Sequence, residues 1–413
     1  MTLQIESLKI KDLGNVITGG TPPTKQRHYY GDKIPLIKPT DMVLGQRYIG
    51  NTEESLSDAG IAKFKNKLVP AFTPCVVTIG TIGKSCLTKE KSLVNQAVNC
   101  VVVNTKKFDI MYIYYLLQLT IPTVKSLNSG TASGRENVSK SVFENIDIKV
   151  VSDIQAQVLI GKYLSNYDSL IENNNHRIAI LEDMAQSLYR EWFVNFRYPY
   201  HEDNLDTDGN PKLIDSPLGQ IPEGWQVKRL DEVADVNPQS ITKKNAPEEI
   251  GYIDIKSVGS GTINEVKAMA FDGAPSRARR VVIDGDIIWA TVRPNRKQFS
   301  YICKPAPNTI ASTGFAVLRS KNLPASYLYS FTTTDSFTGY LVNHATGSAY
   351  PAVNADIFQK ADILVPPQKL MEKFDELCSN AISQSEVLKK KNENLKQQRD
   401  MLLPKLISGT IAL

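Results

Sequence analysis

The chain has 413 residues, a length that predicts two or three domains. Hydrophobic residues make up 42% and charged residues 22%, which is ordinary for a globular protein and excludes a fibrous or largely disordered chain. The net charge of +5 is mild, so charge alone does not indicate a nucleic-acid partner.

We expect neither a signal peptide nor a membrane span. The first residues mix charged side chains with short apolar runs, unlike a signal peptide. The longest apolar stretch, from Ile110 to Val124, is too short to cross a bilayer and is interrupted by Gln118. The five cysteines are scattered and form no C-x-x-C pair, so we expect a reduced, cytoplasmic protein without a cysteine-based zinc site.

The first 150 residues predict a compact α/β domain with long loops. Short β-rich runs separated by Gly and Pro turns predict strands at Ile34–Ile37, Cys75–Ile79 and Ala97–Val103. A helical pattern follows at Asp109–Leu119. We therefore place a first domain at residues 1–150.

A long helix is predicted at residues 151–197 by two neighbouring heptad rows. One row is Leu164, Ile171, Ile178, Ala185 and Trp192, and the other is Tyr167, Asn174, Leu181 and Leu188. Globular helices usually stay under about 20 residues, so a helix of about 40 favours a paired stalk over a helix that only covers its own domain. Asn174 interrupts an apolar row and is either a register-setting residue or simply tolerated.

An acidic linker is predicted at residues 198–224. This segment holds six acidic residues against one lysine and carries −5, which leaves +10 on the rest of the chain. A basic body of this kind suits a polyanion better than the total charge suggests. The motif Asp206-x-Asp208-x-Asn210 resembles a calcium loop, but Pro211 stands where that loop requires glycine.

A second α/β domain is predicted at residues 225–366 and a second long helix with a tail at 367–413. The predicted strands are Tyr252–Ile255, Asp286–Ala290 and Gly314–Leu318, with a weaker helix at Ala325–Phe331. The second long helix has a polar row and a leucine row at heptad spacing. The polar row is Cys378, Ser385, Asn392, Arg399 and Leu406, and the other row is Ala381, Leu388, Leu395 and Leu402. We expect the two helices to pack through Leu164, Tyr167, Ile171, Ile178, Leu181, Leu188, Trp192, Leu388, Leu395, Leu402 and Leu406.

The second half of the chain repeats the first at low identity. Apolar positions and turn glycines keep their order, with offsets between 211 and 217 residues. The aligned segments are Leu8–Val16 with Trp225–Val233, Leu36–Lys38 with Tyr252–Asp254, Pro74–Val77 with Gly285–Ile288, and Phe143 with Phe358. The pattern predicts a tandem duplication of a domain followed by a helix.

No segment predicts an active site. Gly80–Ser85 resembles the end of a phosphate-binding loop, but Thr78 stands where that loop needs its first glycine. Asp254-Ile255-Lys256 resembles part of a nuclease motif without the preceding Pro-Asp, and the four histidines show no metal-ligand spacing. We therefore expect a chain without catalytic residues, metal or bound cofactor.

Basic and amide side chains collect in corresponding loops of the two halves, which indicates contact with DNA. Arginine suits bidentate reading of guanine and Asn or Gln that of adenine, while Lys, Ser and Thr mostly contact phosphate. Any one of these residues alone is more simply an ordinary solvated side chain. The candidate DNA-binding residues are Thr21, Lys25, Gln26, Arg27, Lys38, Lys84, Gln96, Arg135, Lys256, Arg277, Arg279, Arg280, Arg293, Asn295, Arg296, Lys297, Ser348 and Tyr350.

Nearly the whole chain resembles the DNA-specificity subunits of Type I restriction-modification systems. The signals are Gly19-Gly20-Thr21-Pro22, Ile79 to Lys84, Asn95-Gln96 and above all Ser216-Pro217-Leu218-Gly219-Gln220-Ile221-Pro222-Glu223-Gly224-Trp225. The second half departs from the first at its Ala290–Pro294 element, so we expect two different half-sites.

The resemblance implies a fold and a set of partners. It implies two similar α/β target-recognition domains joined by two long helices packed as an antiparallel coiled coil, in a pseudo-symmetric tandem repeat. The domains would read the halves of a bipartite site on double-stranded DNA. Two methyltransferase subunits would bind S-adenosylmethionine and methylate adenine. Restriction and translocase subunits, with ATP and Mg, would add cleavage, although the resemblance leaves their presence open.

Two other classes of protein remain as alternatives. A coiled-coil scaffold joining two protein-binding domains would show no steeply salt-dependent DNA binding. A self-sufficient nuclease would cleave DNA as an isolated chain with a divalent metal and would require Asp254.

Overall fold

The computed structural model describes residues 3–128, 136–205, 207–209 and 211–411, and the chain folds into two compact units. The first unit comprises Met1–Asn174 and Lys391–Leu413, and the second comprises Asn175–Lys390. Within the described residues, no helix is both long and apolar enough to cross a membrane. Arg135, a candidate DNA-binding residue, lies outside the described residues.

The first unit contains a four-stranded sheet, a five-stranded sheet and a two-stranded pair. Its strands are β1 (Ile5–Lys9), β2 (Gly14–Thr18), β3 (Tyr30–Gly31), β4 (Ile34–Ile37), β5 (Glu54–Leu56), β6 (Leu68–Val69), β7 (Pro74–Val77), β8 (Ser85–Leu87), β9 (Ser92–Val94), β10 (Val98–Val103) and β11 (Asp147–Val151). The sheet orders are β2-β10-β7-β8, β3-β5-β4-β9-β6 and β1-β11. The helices are α1 (Asp58–Lys63), α2 (Ile110–Ser126), α3 (Lys140–Glu144) and the first part of α4 (Ile154–Tyr189).

Burial explains the first unit's strands and its long helix. All four residues of β7 are buried, as expected of an apolar central strand covered on both faces. Helix α2 begins after Asp109, whose carboxylate accepts a hydrogen bond from the Tyr112 N–H at 2.8 Å. The helix continues to Ser126, beyond the predicted end at Leu119, because it buries Thr120 and Val124 in its last turns.

The second unit repeats this architecture, with a four-stranded sheet where the first unit has five strands and with an added two-stranded hairpin. Its strands are β12 (Leu213–Ser216), β13 (Gly219–Pro222), β14 (Gln226–Arg229), β15 (Ala234–Val236), β16 (Glu249–Ile253), β17 (Lys267–Ala270), β18 (Ala278–Val281), β19 (Ile287–Ala290), β20 (Phe299–Tyr301), β21 (Thr309–Ser312), β22 (Phe315–Ser320) and β23 (Asp362–Val365). Its helices are the second part of α4, then α5 (Leu230–Val233), α6 (Ala325–Thr332), α7 (Asp335–Asn343), α8 (Ala355–Gln359) and most of α9 (Gln368–Ile407).

Sheet topology confirms the tandem repeat. The order β15-β22-β19-β20 matches β2-β10-β7-β8, and the pair β14-β23 matches β1-β11. The five-stranded sheet of the first unit corresponds to β17-β16-β21-β18 in the second, and in each of them one parallel pair stands among antiparallel ones, β4 with β9 and β16 with β21. All six predicted strands are present, with bounds that differ by up to three residues.

Strand pairing corrects the predicted alignment of the first segment. Lys9 pairs with Asp147 as Arg229 pairs with Asp362, which sets the offset there at 220 residues rather than 217. The buried residues that follow each strand, Ile10 and Leu230, then coincide. Apolar residues in this segment recur about every three positions, so a slip of three still matches apolar with apolar.

The third aligned segment is also shifted. Val77 pairs with Val98 as Ala290 pairs with Phe315, so β7 and β19 correspond at an offset of 213 rather than 211. Side chains alternate between faces along a strand, so a slip of two residues preserves the hydrophobic pattern. The sequence pattern alone therefore could not fix this register.

The long helices pack antiparallel within each unit. In the first unit, the Arg399 guanidinium donates to the Asp168 carboxylate, and the Asn174 Nδ2 donates to the Asn392 Oδ1 at 2.8 Å. Residue numbers therefore rise along α4 as they fall along α9, so the two helices run in opposite directions. In the second unit, Glu182 pairs with Lys389 at 3.0 Å, while Tyr189 lies 6.1 Å from Phe374 between ring centroids.

Burial along α9 agrees with the expected packing residues at Leu388 and Leu406 but not at Leu395 and Leu402. The first row of α4 is buried from Leu164 through Ala185, and Trp192 lies buried in the π-helical turn that follows. In α9 it is the polar row that is buried throughout, from Cys378 to Leu406, whereas Leu395 and Leu402 are half-buried. Hydrogen bonds and an ion pair between the helices satisfy these polar side chains, which hydrophobicity alone could not foresee.

Each domain core includes residues from both long helices. In the first unit, Ile160 and Leu164 from α4 join Leu406 and Ile407 from α9 in the cluster around α2. In the second unit, Tyr189 from α4 and Phe374 from α9 join the cluster around Trp289. The helix pair is thus part of both hydrophobic cores.

Candidate nucleic-acid interface

In the first unit, loops carrying candidate residues meet at one end of the sheets. Because β10 is antiparallel to β2 and β7, those two strands end where β10 begins. The Gly20 N–H donates to the Val94 carbonyl at 2.8 Å, and the Asn95 N–H donates to the Ile37 carbonyl at 2.9 Å. These bonds hold together the loops that follow β2, β4 and β9.

Five candidates of the first unit lie in these joined loops, and a sixth, Lys84, contacts them from the turn after β7. The Thr21 hydroxyl donates to the Gln96 amide oxygen, although the two residues are far apart in sequence. The Lys84 Nζ donates to the Pro39 carbonyl at 2.7 Å, next to Lys38. Lys25 and Gln26 lie on the exposed loop that begins at Thr21.

Acidic neighbours engage two of the cationic candidates. The Lys38 Nζ lies 2.9 Å from Glu53 and 3.2 Å from Glu54, and the hydrogen bond to Glu53 is the main cause that raises the pKa of this ammonium group. Arg27 lies 3.7 Å from Glu54 and 5.5 Å from the centroid of the Tyr30 ring. Both cations are partly neutralised within the protein.

In the second unit, two candidate loops pack against each other. The Arg293 N–H donates to the Pro351 carbonyl at 2.7 Å, and the Arg293 guanidinium lies 4.4 Å from the centroid of the Tyr350 ring. The 3-10 turn Pro294–Arg296 leaves Asn295 and Arg296 exposed. The structure also places Ser348 in the loop next to Tyr350, while Lys297 is paired with Asp335 at 2.6 Å.

A cleft of about 700 Å³ holds two further candidates. It is lined by Lys256 and Arg277, and Arg277 lies 3.2 Å from the Asp254 carboxylate. Partial burial acts to raise the pKa of Asp254, but the hydrogen bond from the Lys256 backbone N–H and the charge of Arg277 outweigh it and lower the pKa. Asp254 therefore stays ionised and orients Arg277.

Arg279 and Arg280 make contacts with other residues of their own domain. Arg279 lies 5.0 Å from the centroid of the Phe271 ring and donates to the Ala278 carbonyl. Arg280 donates to the Ser240 hydroxyl at 3.1 Å, and burial lowers the pKa of its guanidinium.

The residues of the enzyme-like motifs have structural roles in the fold. Residues 80–84 form the turn between β7 and β8 and do not lead into a helix, so the anion-binding helix terminus of a phosphate loop is missing there. Asp254 accepts a hydrogen bond at the start of a 3-10 turn and pairs with Arg277. Among the described residues, no group of three His, Cys, Asp or Glu side chains could hold a metal ion.

The structure adds residues that the sequence did not single out. The Lys67 Nζ donates to the Gly19 carbonyl at 2.9 Å and thereby fixes the loop after β2. Asn264 and Lys267 line the cleft with Lys256. Only tertiary folding brings these residues to the candidate loops, so no local pattern could have identified them.

These observations define a class of protein: a tandem repeat in which both copies present basic and amide side chains at the same end of the same sheets. Comparison with known proteins is more specific. The model of the Type I restriction modification DNA specificity domain matches residues 4–183 and 222–397, and the chain belongs to this family.

Individual relatives agree with this family. The chain is 26% identical to the Type I restriction enzyme MjaIX specificity subunit of Methanocaldococcus jannaschii, over 98% of this chain and 92% of that protein. It is 29% identical to the HindI specificity subunit of Haemophilus influenzae over 43% of this chain and 39% of that protein. The fold is similar to that of the Type I restriction-modification S subunit of M. genitalium, with a TM-score of 0.57 and 15% identity over 98% and 96% of the two chains.

Proposed function

We propose that this chain recognises a bipartite sequence on double-stranded DNA as the specificity subunit of a Type I restriction-modification complex. Residues 1–150 and 225–366 would each read one half-site. The helices at 151–197 and 367–413 would join these domains, and residues 198–224 would form the acidic linker between the repeats. The chain itself would carry no catalytic residue.

One observation carries this proposal: the repeats share their sheets but not the side chains at the sheet ends. The first unit presents Thr21, Lys84 and Gln96 there, whereas the second presents Arg293 and Arg277. A shared scaffold with different polar side chains suits two readers of different sequences.

The partners follow from the same proposal. Two methyltransferase subunits would bind S-adenosylmethionine and methylate an adenine in the recognised site. In a complex that also contains restriction and translocase subunits, those subunits would use ATP and Mg to translocate and cleave DNA. Family membership and the relatives' names support this division of labour.

DNA binding through the sheet-end loops can be tested with two matched lysines. Lys25 lies on the exposed loop after β2, and Lys106 is an exposed lysine beyond the opposite end of β10. Lys25→Glu should weaken binding and reduce the slope of log affinity against log salt by about 1 for each lost phosphate contact. Lys106→Glu makes the same charge change and should leave the slope unaltered.

The measurement is fluorescence anisotropy of duplex DNA with the chain and its methyltransferase partner between about 50 and 200 mM salt. Equal losses of DNA affinity in Lys25→Glu and Lys106→Glu would contradict DNA binding through the sheet-end loops. Binding without salt dependence would favour the scaffold.

Recognition of a split sequence can be tested by methylome sequencing of cells that carry the chain with its methyltransferase. We expect a methylated adenine motif in two parts separated by an unread spacer. Deletion of the gene should abolish methylation at that motif. A continuous motif, or one that persists after the deletion, would count against the proposal.

A further inference from the structure

Arg293 occupies a backbone position that favours glycine. Its φ of 54° lies in the left-handed region, which L-residues with a side chain adopt rarely. The first repeat provides an internal comparison, because the offset of 213 between β7 and β19 places Gly80 at the equivalent position. Gly80 has a φ of 86°.

The hydrogen bonds around the two positions correspond. The Gly80 N–H donates to the Glu136 carbonyl at 2.9 Å, as the Arg293 N–H donates to the Pro351 carbonyl at 2.7 Å. Two residues earlier, the Thr78 carbonyl accepts from Val138 as the Thr291 carbonyl accepts from Val353. The fold thus requires a left-handed residue at this position, and a glycine meets that requirement with less strain.

The turn therefore does not need the arginine side chain, which is available for another role. The Arg293 guanidinium stacks 4.4 Å from the centroid of the Tyr350 ring, which is 68% exposed. Its Nη2 donates to the Ala349 carbonyl at 3.3 Å. Within the described residues no carboxylate lies within ion-pair distance of Arg293, unlike Arg277 and Lys297.

We propose that Arg293 reads a guanine in the half-site bound by the second repeat, an inference that rests on the proposed function. A phosphate contact needs only a positive charge, whereas a guanidinium held in a fixed plane presents two N–H donors in the arrangement that matches guanine O6 and N7. Stacking on Tyr350 and the bond to Ala349 hold that plane. The first repeat has a glycine here and reads its half-site without this contact.

The test compares methylomes of cells carrying the complex with the wild-type chain, Arg293→Gly or Arg293→Lys. The glycine variant restores the residue of the first repeat, and its melting temperature checks that it folds. For wild type we expect sites that lack one particular guanine to be disfavoured by roughly 5- to 150-fold. Arg293→Gly should reduce that preference to about twofold at this one position, Arg293→Lys should weaken it to a smaller extent because lysine lacks the fixed pair of donors, and both should leave the other half-site unchanged.

Arg177→Ala is the control, because Arg177 is an exposed arginine of the second unit that lies on helix α4 and is not among the candidate DNA-binding residues. It should not relax that guanine preference. Loss of affinity by Arg293→Gly at all sites, with Arg293→Lys like wild type, would identify a phosphate contact and overturn guanine reading while leaving the proposed function intact. An unchanged motif in both variants would also overturn it. A wild-type complex that recognises no DNA sequence would overturn both proposals.

Discussion

At the scale of single residues, Gly80 shows how a backbone requirement can be tested apart from packing. Its φ is 86°, and a Cβ added there would meet no atom within 4 Å. Gly80→Ala should therefore lose stability through backbone strain alone, by about 1 kcal/mol. Urea denaturation followed by circular dichroism measures this change.

Gly50→Ala is the control for Gly80→Ala. Gly50 also has open space around it but no left-handed φ, so its substitution should change stability by less than about 0.5 kcal/mol. Equal effects of the two substitutions would show that the turn after β7 does not require the left-handed conformation.

Sequence patterns predicted residue types at the candidate surface better than residue roles. Thr21 and Gln96 were both singled out, yet their mutual hydrogen bond depends on tertiary folding. Lys38 and Arg279 were singled out by charge, but their neighbours Glu53 and Phe271 engage them within the protein. Charge can be read from sequence, whereas the partner of a charge cannot.

At the scale of elements, a buried ion pair joins the long helices in the first unit. Asp168 and Arg399 are 4% and 8% exposed, and the Tyr115 hydroxyl also donates to Asp168 at 2.6 Å. Arg399→Leu leaves the buried carboxylate without its cation and should cost about 3–5 kcal/mol. The double variant Asp168→Leu with Arg399→Leu should recover part of that loss, because it removes the buried carboxylate but leaves the Tyr115 hydroxyl without its acceptor, as measured by chemical denaturation.

Lys140→Leu provides the control for this ion pair. The exposed Lys140 lies 3.7 Å from the half-buried Glu144 one helical turn away in the same unit, so loss of this solvent-accessible pair should cost less than about 0.5 kcal/mol. If the stability losses of Asp168→Leu and Arg399→Leu, measured singly, simply add in the double variant, then the two side chains are not coupled.

Heptad spacing predicted the helix pair but not which row of α9 is buried. Arg399 and Asn392 look like surface residues in the sequence, and their burial depends on Asp168 and Asn174 in the facing helix. A hydrophobic pattern is read from one helix at a time, whereas the burial of a polar side chain depends on its hydrogen-bonding partner in the facing helix.

At the scale of the whole molecule, each unit's core combines segments distant in sequence. The C-terminal part of α9 belongs to the first unit, where Leu406 is 1% exposed in the cluster around α2. The duplication was visible in the sequence, but this assignment was not, because both long helices have the same heptad spacing and the pattern does not say which core each turn joins.

The tryptophans allow this assignment to be tested. All three of them, Trp192, Trp225 and Trp289, lie in the second unit, so their fluorescence reports on that unit. Leu406→Ala opens a cavity in the first unit and should destabilise it by about 2–5 kcal/mol. Hydrogen exchange should then accelerate in β2, β7 and β10, while the tryptophan transition in urea keeps its midpoint. Met401→Ala, at a side chain that is 64% exposed, should change neither signal. A shift of the tryptophan midpoint as large as the loss in the first unit would show that Leu406 stabilises both cores rather than the first alone.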